Sequence, residues 1–92
     1  MTDSKQQILV LSSDDHAESM RVAAGLTIFG HQVELIFINR IVEENEANIE
    51  QAELLDLSGI VPLSLMDDPN IEHINQNQLS KLILSSNQII NI

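Results

Sequence analysis

The sequence predicts an α/β fold, a small flavodoxin-like parallel sheet of about four strands with helices on both faces. Short apolar runs alternate along the chain with longer segments of helical character, which indicates alternating strands and helices. The first run is continuous and the second is broken only by Glu34. Continuous runs are typical of strands that are covered on both faces, as in a parallel sheet. At 92 residues, the chain is expected to form a single domain, residues 1–92.

The strands are predicted at four apolar runs. These are Ile8–Leu11, Val33–Ile38, Ile60–Met66 and Gln88–Ile92. Pro62 indicates that the third strand begins near it, because proline cannot donate to the ladder inside a central strand. We expect the strand order 2-1-3-4, in which the first strand lies between the second and the third.

Three helices are predicted between these runs. They span residues 17–29, 46–58 and 76–86. Gly30 and Gly59 directly follow the first two, as is typical of helix C-termini.

The first predicted helix is apolar on nearly all sides, so the sheet alone would not cover it. We expect a second subunit to provide the remaining cover, although a neighbouring helix or loop of the same chain is an open alternative. The predicted oligomer interface consists of Met20, Val22, Ala24, Ile28 and Phe29.

Charge and composition exclude several classes of function. Fourteen acids and four bases give a net charge of -10, which disfavours nucleic acid and anionic membranes as partners. The chain has no cysteine, which excludes disulfides, thiolate nucleophiles and persulfide carriage. The polar start and the four-residue apolar run after it predict a cytoplasmic protein without a leader segment.

Acidic residues follow two of the predicted strands. Asp14 and Asp15 follow the first strand, and Asp67 and Asp68 follow the third. In doubly wound sheets ligands bind at the carboxyl ends of the strands, so neighbouring strands would bring these carboxylates together. Asp14, Asp15 and Asp67 could then hold Mg²⁺, which prefers oxygen ligands. The first turn has no glycine to approach a phosphate, so no flavin or dinucleotide cofactor is expected.

A second interpretation of the same acids needs no ligand, and we favour it. Asp14 or Asp15 can cap the first helix, and residues 67–70 have the composition of a turn. His16 could join a cation site or titrate near neutral pH. Its serine neighbours in sequence do not predict a catalytic triad, because adjacent residues seldom reach that geometry. The sequence therefore predicts no enzyme, no catalytic residues and no cofactor, with Mg²⁺ as the alternative.

The acids also resemble those of receiver domains of two-component signalling. That resemblance implies a Mg²⁺ site at Asp14 and Asp15, with Asp67 as the phosphoacceptor. The sequence departs from the pattern in two ways, because a fifth βα unit is missing and Lys81 lies within a predicted helix.

The overall layout is similar to that of the DsrE/DsrF-like family, which includes small subunits of bacterial sulfur-relay complexes. The matching segments are "ILVLSS", "GLTIFGHQVELIFIN", "SGIVPLSLM" and "KLILSSNQIINI". The resemblance implies a small α/β subunit of a homo-oligomer or of an assembly of paralogous subunits. Some members carry a persulfide on a cysteine after the third strand, where this chain has Leu65–Asp67. It therefore implies a non-catalytic structural or partner-binding subunit linked to sulfur metabolism; a small ligand held between subunits is also open.

Overall fold

Five parallel strands form one sheet at the centre of the part of the chain that is described. The structure is a computed structural model and describes residues 6–92, so most of the polar start and the first five residues of the predicted domain lie outside it. The strands are β1 (Gln7–Ser12), β2 (Gln32–Phe37), β3 (Leu63–Ser64), β4 (Glu72–His73) and β5 (Gln88–Asn91). The helices are α1 (His16–Ile28), α2 (Glu46–Leu57) and α3 (Gln76–Ser85).

The predicted α/β class is confirmed. All strand pairings are parallel, and each of the four predicted runs overlaps a strand. The three helices begin and end within one residue of their predicted bounds. β4 was not predicted, because its two residues are too few to give a pattern, and β3 is shorter than predicted and begins directly after Pro62.

The predicted strand order was wrong. The observed order is β4-β3-β2-β1-β5, so the third strand pairs with the second and β1 lies between β2 and β5. The first three connections, from β1 through β4, carry the chain in one direction across the sheet, and only the connection through α3 returns it to the other side of β1. An alternation of strands and helices in the sequence is the same for either order, which is why the order could not be derived from it.

The sheet is covered on both faces. Cluster one joins α1 and α2 to one face through Met20, Ala23 and Leu55, which pack against side chains of β1 and β2. Cluster two joins Leu79 of α3 to the opposite face, where Leu9 and Leu11 of β1 lie. Neighbouring residues of β1 therefore belong to different clusters, as the side-chain alternation of a strand requires.

No helix among residues 6–92 is both long enough and apolar enough to cross a membrane.

Candidate functional site

The acids that follow β1 have structural partners at the carboxyl end of the sheet. Asp15 is the N-cap of α1, and its Oδ1 accepts a hydrogen bond from the Glu18 backbone N–H at 3.1 Å. Arg40, which follows β2, donates from Nη2 to the Asp14 carbonyl oxygen at 2.6 Å, and its Nη1 lies 3.8 Å from Asp14 Oδ1. The prediction that these residues include a helix cap is confirmed for Asp15.

The structure does not bring the three predicted metal ligands together. Asp14 and Asp15 line a polar depression between the starts of α1 and α2, together with Arg40 and Glu43, and Asp67 does not line it. Asp67 follows β3, which β2 separates from β1. Among residues 6–92, no group of three or more His, Asp or Glu side chains is arranged to hold a metal ion. The expected convergence of Asp14, Asp15 and Asp67 was therefore wrong, because it assumed that the first and third strands are neighbours.

His16 lies at the same end of the sheet and is almost completely buried, with 4% of its surface exposed. Its ring packs edge-on against Phe37, with 5.0 Å between the ring centroids. Burial, and then the nearby positive charge of Arg40, lower the pKa of His16, against the opposing effect of Asp15, Glu43 and Asp14. Its Nε2 is buried and has no hydrogen-bond partner among the described residues. His16 is therefore a neutral packing residue near neutral pH.

The serines of this loop also have structural partners. Ser19 Oγ lies 2.6 Å from Ser12 Oγ and 2.8 Å from the His16 carbonyl oxygen. A hydroxyl has one hydrogen and a carbonyl oxygen can only accept, so Ser19 donates to the His16 carbonyl oxygen and accepts from the Ser12 hydroxyl. Both serines are fully buried. They join the end of β1 to the first turn of α1.

Asp68 is a buried carboxylate that joins two loops. Its Oδ2 accepts from the Val42 backbone N–H and its Oδ1 accepts from the Asn70 backbone N–H, each at 3.0 Å. The bond to Asn70 confirms the predicted turn. The bond to Val42 was not predicted, because nothing in the sequence indicates that the loop after β2 lies beside the loop after β3.

A cavity of about 260 Å³ lies between α2 and these two loops. Its apolar wall includes Met20, Phe37, Leu55 and Ile60. Four acidic side chains also line it: Glu43, Glu44, Asp56 and Asp68. We call this space the α2 cavity. Sequence reasoning missed it, because its wall comes from four separate segments of the chain.

Large apolar side chains are exposed at the opposite end of the sheet, where the strands begin. They are Ile28 and Phe29 at the end of α1, Leu57 at the end of α2 and Val61 in the loop that follows, and they are 68% to 85% exposed. Helices that connect parallel strands run back along the sheet, so α1 and α2 both end at this edge. One depression there is lined by Thr27, Ser58 and Val61, which places the two helix ends side by side. We call these four residues the amino-end apolar surface.

The predicted oligomer interface on α1 is only partly accessible. Met20 and Ala24 are buried by the chain itself, so their assignment to a subunit interface was wrong. The physical reason is that α2 packs beside α1 and covers a second side of it, which was the open alternative. Val22 is half-buried, and Ile28 and Phe29 are exposed as an interface requires. Leu57 and Val61 were missed, although the apolar residues on both sides of Gly59 are a signal in the sequence.

No protein-family model matches the chain, and no curated protein matches it. The resemblance to DsrE/DsrF-like proteins therefore stays a prediction.

Proposed function

We propose that the protein is a non-catalytic subunit that works by binding other protein chains, copies of itself or paralogous subunits, through the amino-end apolar surface. The observation that carries this proposal is the exposure of Ile28, Phe29, Leu57 and Val61 at one end of the molecule. Several large apolar side chains exposed at one end of a small protein are typical of interaction sites.

Burial of the amino-end apolar surface in an interface would be energetically favourable. Complete burial of one large aliphatic or aromatic side chain stabilises an assembly by about 1.5–3 kcal/mol before the entropic cost of association. Phe29 is a suitable central residue, because aromatic side chains are enriched among the residues that dominate binding. In a chain with a net charge of -10, an uncharged group of side chains is also where a second copy meets the least repulsion.

The structural roles at the carboxyl end of the sheet support a function without catalysis. Asp15 caps α1, and the hydroxyls of Ser12 and Ser19 form a hydrogen bond with each other. The ring of His16 packs against Phe37. These groups are the ones in the "SSDDH" segment that an enzyme would have used for acid, base or nucleophile chemistry.

A link to sulfur metabolism is the finer part of the proposal, and it rests on the resemblance in sequence alone. A subunit without cysteine would serve such an assembly by positioning a partner that carries the sulfur. A cytoplasmic location belongs to the same proposal.

The mass of the assembly tests the proposal. We expect native mass spectrometry and light scattering of the wild-type protein to give an oligomer, and Phe29→Asp to give a monomer. The matched control is Ile41→Asp, which adds the same charge at an exposed apolar position in the loop after β2, at the carboxyl end of the sheet. Because both positions are exposed, circular dichroism should show native folding in both variants.

Two results would contradict the proposed self-assembly. One is a wild-type protein that is monomeric at high micromolar concentration. The other is an equal loss of assembly in Phe29→Asp and Ile41→Asp, which would mean that added charge acts without regard to position.

A further inference from the structure

The α2 cavity combines an apolar wall with a rim of carboxylates. Met20, Phe37 and Leu55, which are almost fully buried, belong to its wall. With a volume of about 260 Å³, it is slightly below the usual range of ligand pockets and suits a small molecule.

The rim is held in place by hydrogen bonds. Asp68 joins the loop after β2 to the loop after β3 through the Val42 and Asn70 backbone N–H groups. Asn70 Nδ2 donates to Glu44 Oε1 at 3.2 Å, and Asn48 Nδ2 of α2 donates to the Glu43 carbonyl oxygen at 2.9 Å. A rim fixed in this way loses little entropy when a ligand binds.

Asp68 is the buried member of the four acidic side chains that line the cavity. It lines the cavity and is 7% exposed, so its carboxylate is largely removed from water. Among residues 6–92 the salt bridges are those of Arg21 with Glu18 and of Arg40 with Asp14, so no cation pairs with Asp68. Two backbone N–H groups occupy about half of the hydrogen-bonding capacity of a carboxylate. The two backbone N–H groups offset part of the cost of burying this carboxylate, and a cation bound in the cavity would supply the opposite charge that the described residues do not.

The other rim carboxylates favour the same kind of ligand. Glu43, Glu44 and Asp56 form no salt bridge among the described residues, and no lysine or arginine lines the cavity. An anionic ligand would meet four carboxylates, and a neutral one would leave them without a partner.

We infer that the α2 cavity binds a small primary amine, whose hydrocarbon part contacts the apolar wall and whose ammonium group lies at the carboxylate rim. The ammonium donates hydrogen bonds to carboxylate oxygens, and such charge-assisted bonds are stronger than neutral ones. This inference does not depend on the amino-end apolar surface, because none of the four residues of that surface lines the α2 cavity.

Three probes of equal chain length test the inference: hexylamine, hexanol and hexanoate. Each is titrated into the full-length protein at neutral pH and followed by the amide and methyl resonances in NMR. We expect hexylamine to shift resonances of the cavity wall, hexanol to bind about tenfold more weakly, and hexanoate to cause no shift there.

Two kinds of variant separate the rim from the wall. The double variant Glu43→Gln and Glu44→Gln should lower hexylamine affinity about tenfold and leave hexanol affinity unchanged. Its matched control is Glu50→Gln with Glu53→Gln, two exposed acids of α2 that do not line the cavity. Ala52→Phe, at an exposed position of the cavity wall, should fill the space and abolish the binding of both probes without unfolding the chain.

Several results would overturn the inference. They are absence of hexylamine binding at millimolar concentration, equal affinity for hexylamine and hexanol, or equal effects of the rim variant and its control. Unchanged hexylamine binding by Ala52→Phe would overturn it as well, because the amine would then bind elsewhere on the acidic surface.

Discussion

At the carboxyl end of the sheet Phe37 lies in the core against the ring of His16, whereas at the amino end Phe29 projects into solvent. These are the only two phenylalanines of the chain, which has no other aromatic side chain than its histidines. Phe37 is 1% exposed and Phe29 is 81% exposed. One phenylalanine is therefore part of the hydrophobic core at one end of the molecule, whereas the other is largely outside the core at the opposite end.

Polar side chains with potentially reactive groups lie at the carboxyl end of the sheet and are used by the fold there. At the carboxyl end, Asp15, Asn45 and Asn75 each cap a helix, so side chains with the chemistry of an active site have structural roles. At the amino end, α1 and α2 end in apolar residues that are mostly exposed and therefore contribute little to the core. The comparison teaches that function is better sought among side chains that folding does not use, even where they carry no reactive group.

The largest expected difference between the two ends is in stability. Phe37→Ala should lower the free energy of unfolding by about 3–5 kcal/mol, because it removes a fully buried ring and leaves a cavity. Phe29→Ala should lower it by less than about 0.5 kcal/mol, because the ring is already in water. Urea unfolding in dilute solution, where an oligomer would dissociate, measures both values.

A loss of this size could unfold the Phe37→Ala variant, since the whole free energy of unfolding of a small domain is only a few times larger. Phe37→Leu keeps most of the apolar volume and should fold with a smaller loss. Similar losses for Phe37→Leu and Phe29→Leu would contradict the comparison.

Local features of the chain could be predicted from the sequence because their signals are local. The bounds of α1 and α2 follow from a capping side chain at one end and a glycine at the other. Gly30 and Gly59 adopt positive φ angles of 89° and 83°, a conformation that other residues rarely adopt. The residues that begin and end each helix therefore lie within a few positions of its first and last turns, where a local sequence pattern can identify them.

Relations between distant segments could not be predicted in the same way. The strand order depends on the direction of each crossover, above all on whether the connection through α2 places β3 beside β2 or beyond β1, and no residue of the apolar runs encodes that direction. A helical-wheel projection of α1 shows apolar residues on several sides but does not show what covers each side. In the structure, Met20 and Ala24 are buried by other segments of the same chain. The α2 cavity and its rim depend on the bond between Asp68 and Val42, which are 26 residues apart.

A smaller effect is expected from the cap of α1 at the carboxyl end. Asp15→Ala should lower the free energy of unfolding by about 1 kcal/mol, because the Glu18 backbone N–H loses its acceptor. Asp14→Ala is the matched control. Its exposed carboxylate lies 3.8 Å from Arg40, and such surface pairs contribute little. Urea unfolding without and with Mg²⁺ is the measurement; equal losses in the two variants, or stabilisation of the wild type by Mg²⁺, would favour a cation site over a cap.

The smallest expected effect is the pH dependence that His16 gives to the carboxyl end. Burial lowers the pKa of His16 in the folded protein below its ordinary value of 6.5, whereas the unfolded chain keeps that value. Above pH 6.5 both states are neutral at His16, so its contribution to stability is constant. As the pH falls through 6.5, the unfolded chain binds a proton that the folded protein does not, and stability falls.

The slope that one proton gives cannot exceed about 1.4 kcal/mol per pH unit. Urea unfolding at a series of pH values down to about 5.5, before most carboxylates titrate, isolates the histidines. His16→Phe keeps a ring against Phe37 and should remove most of the dependence. An unaltered slope in His16→Phe would mean that the ring is not held neutral by burial, and that the carboxyl end is more open to water than its packing against Phe37 implies.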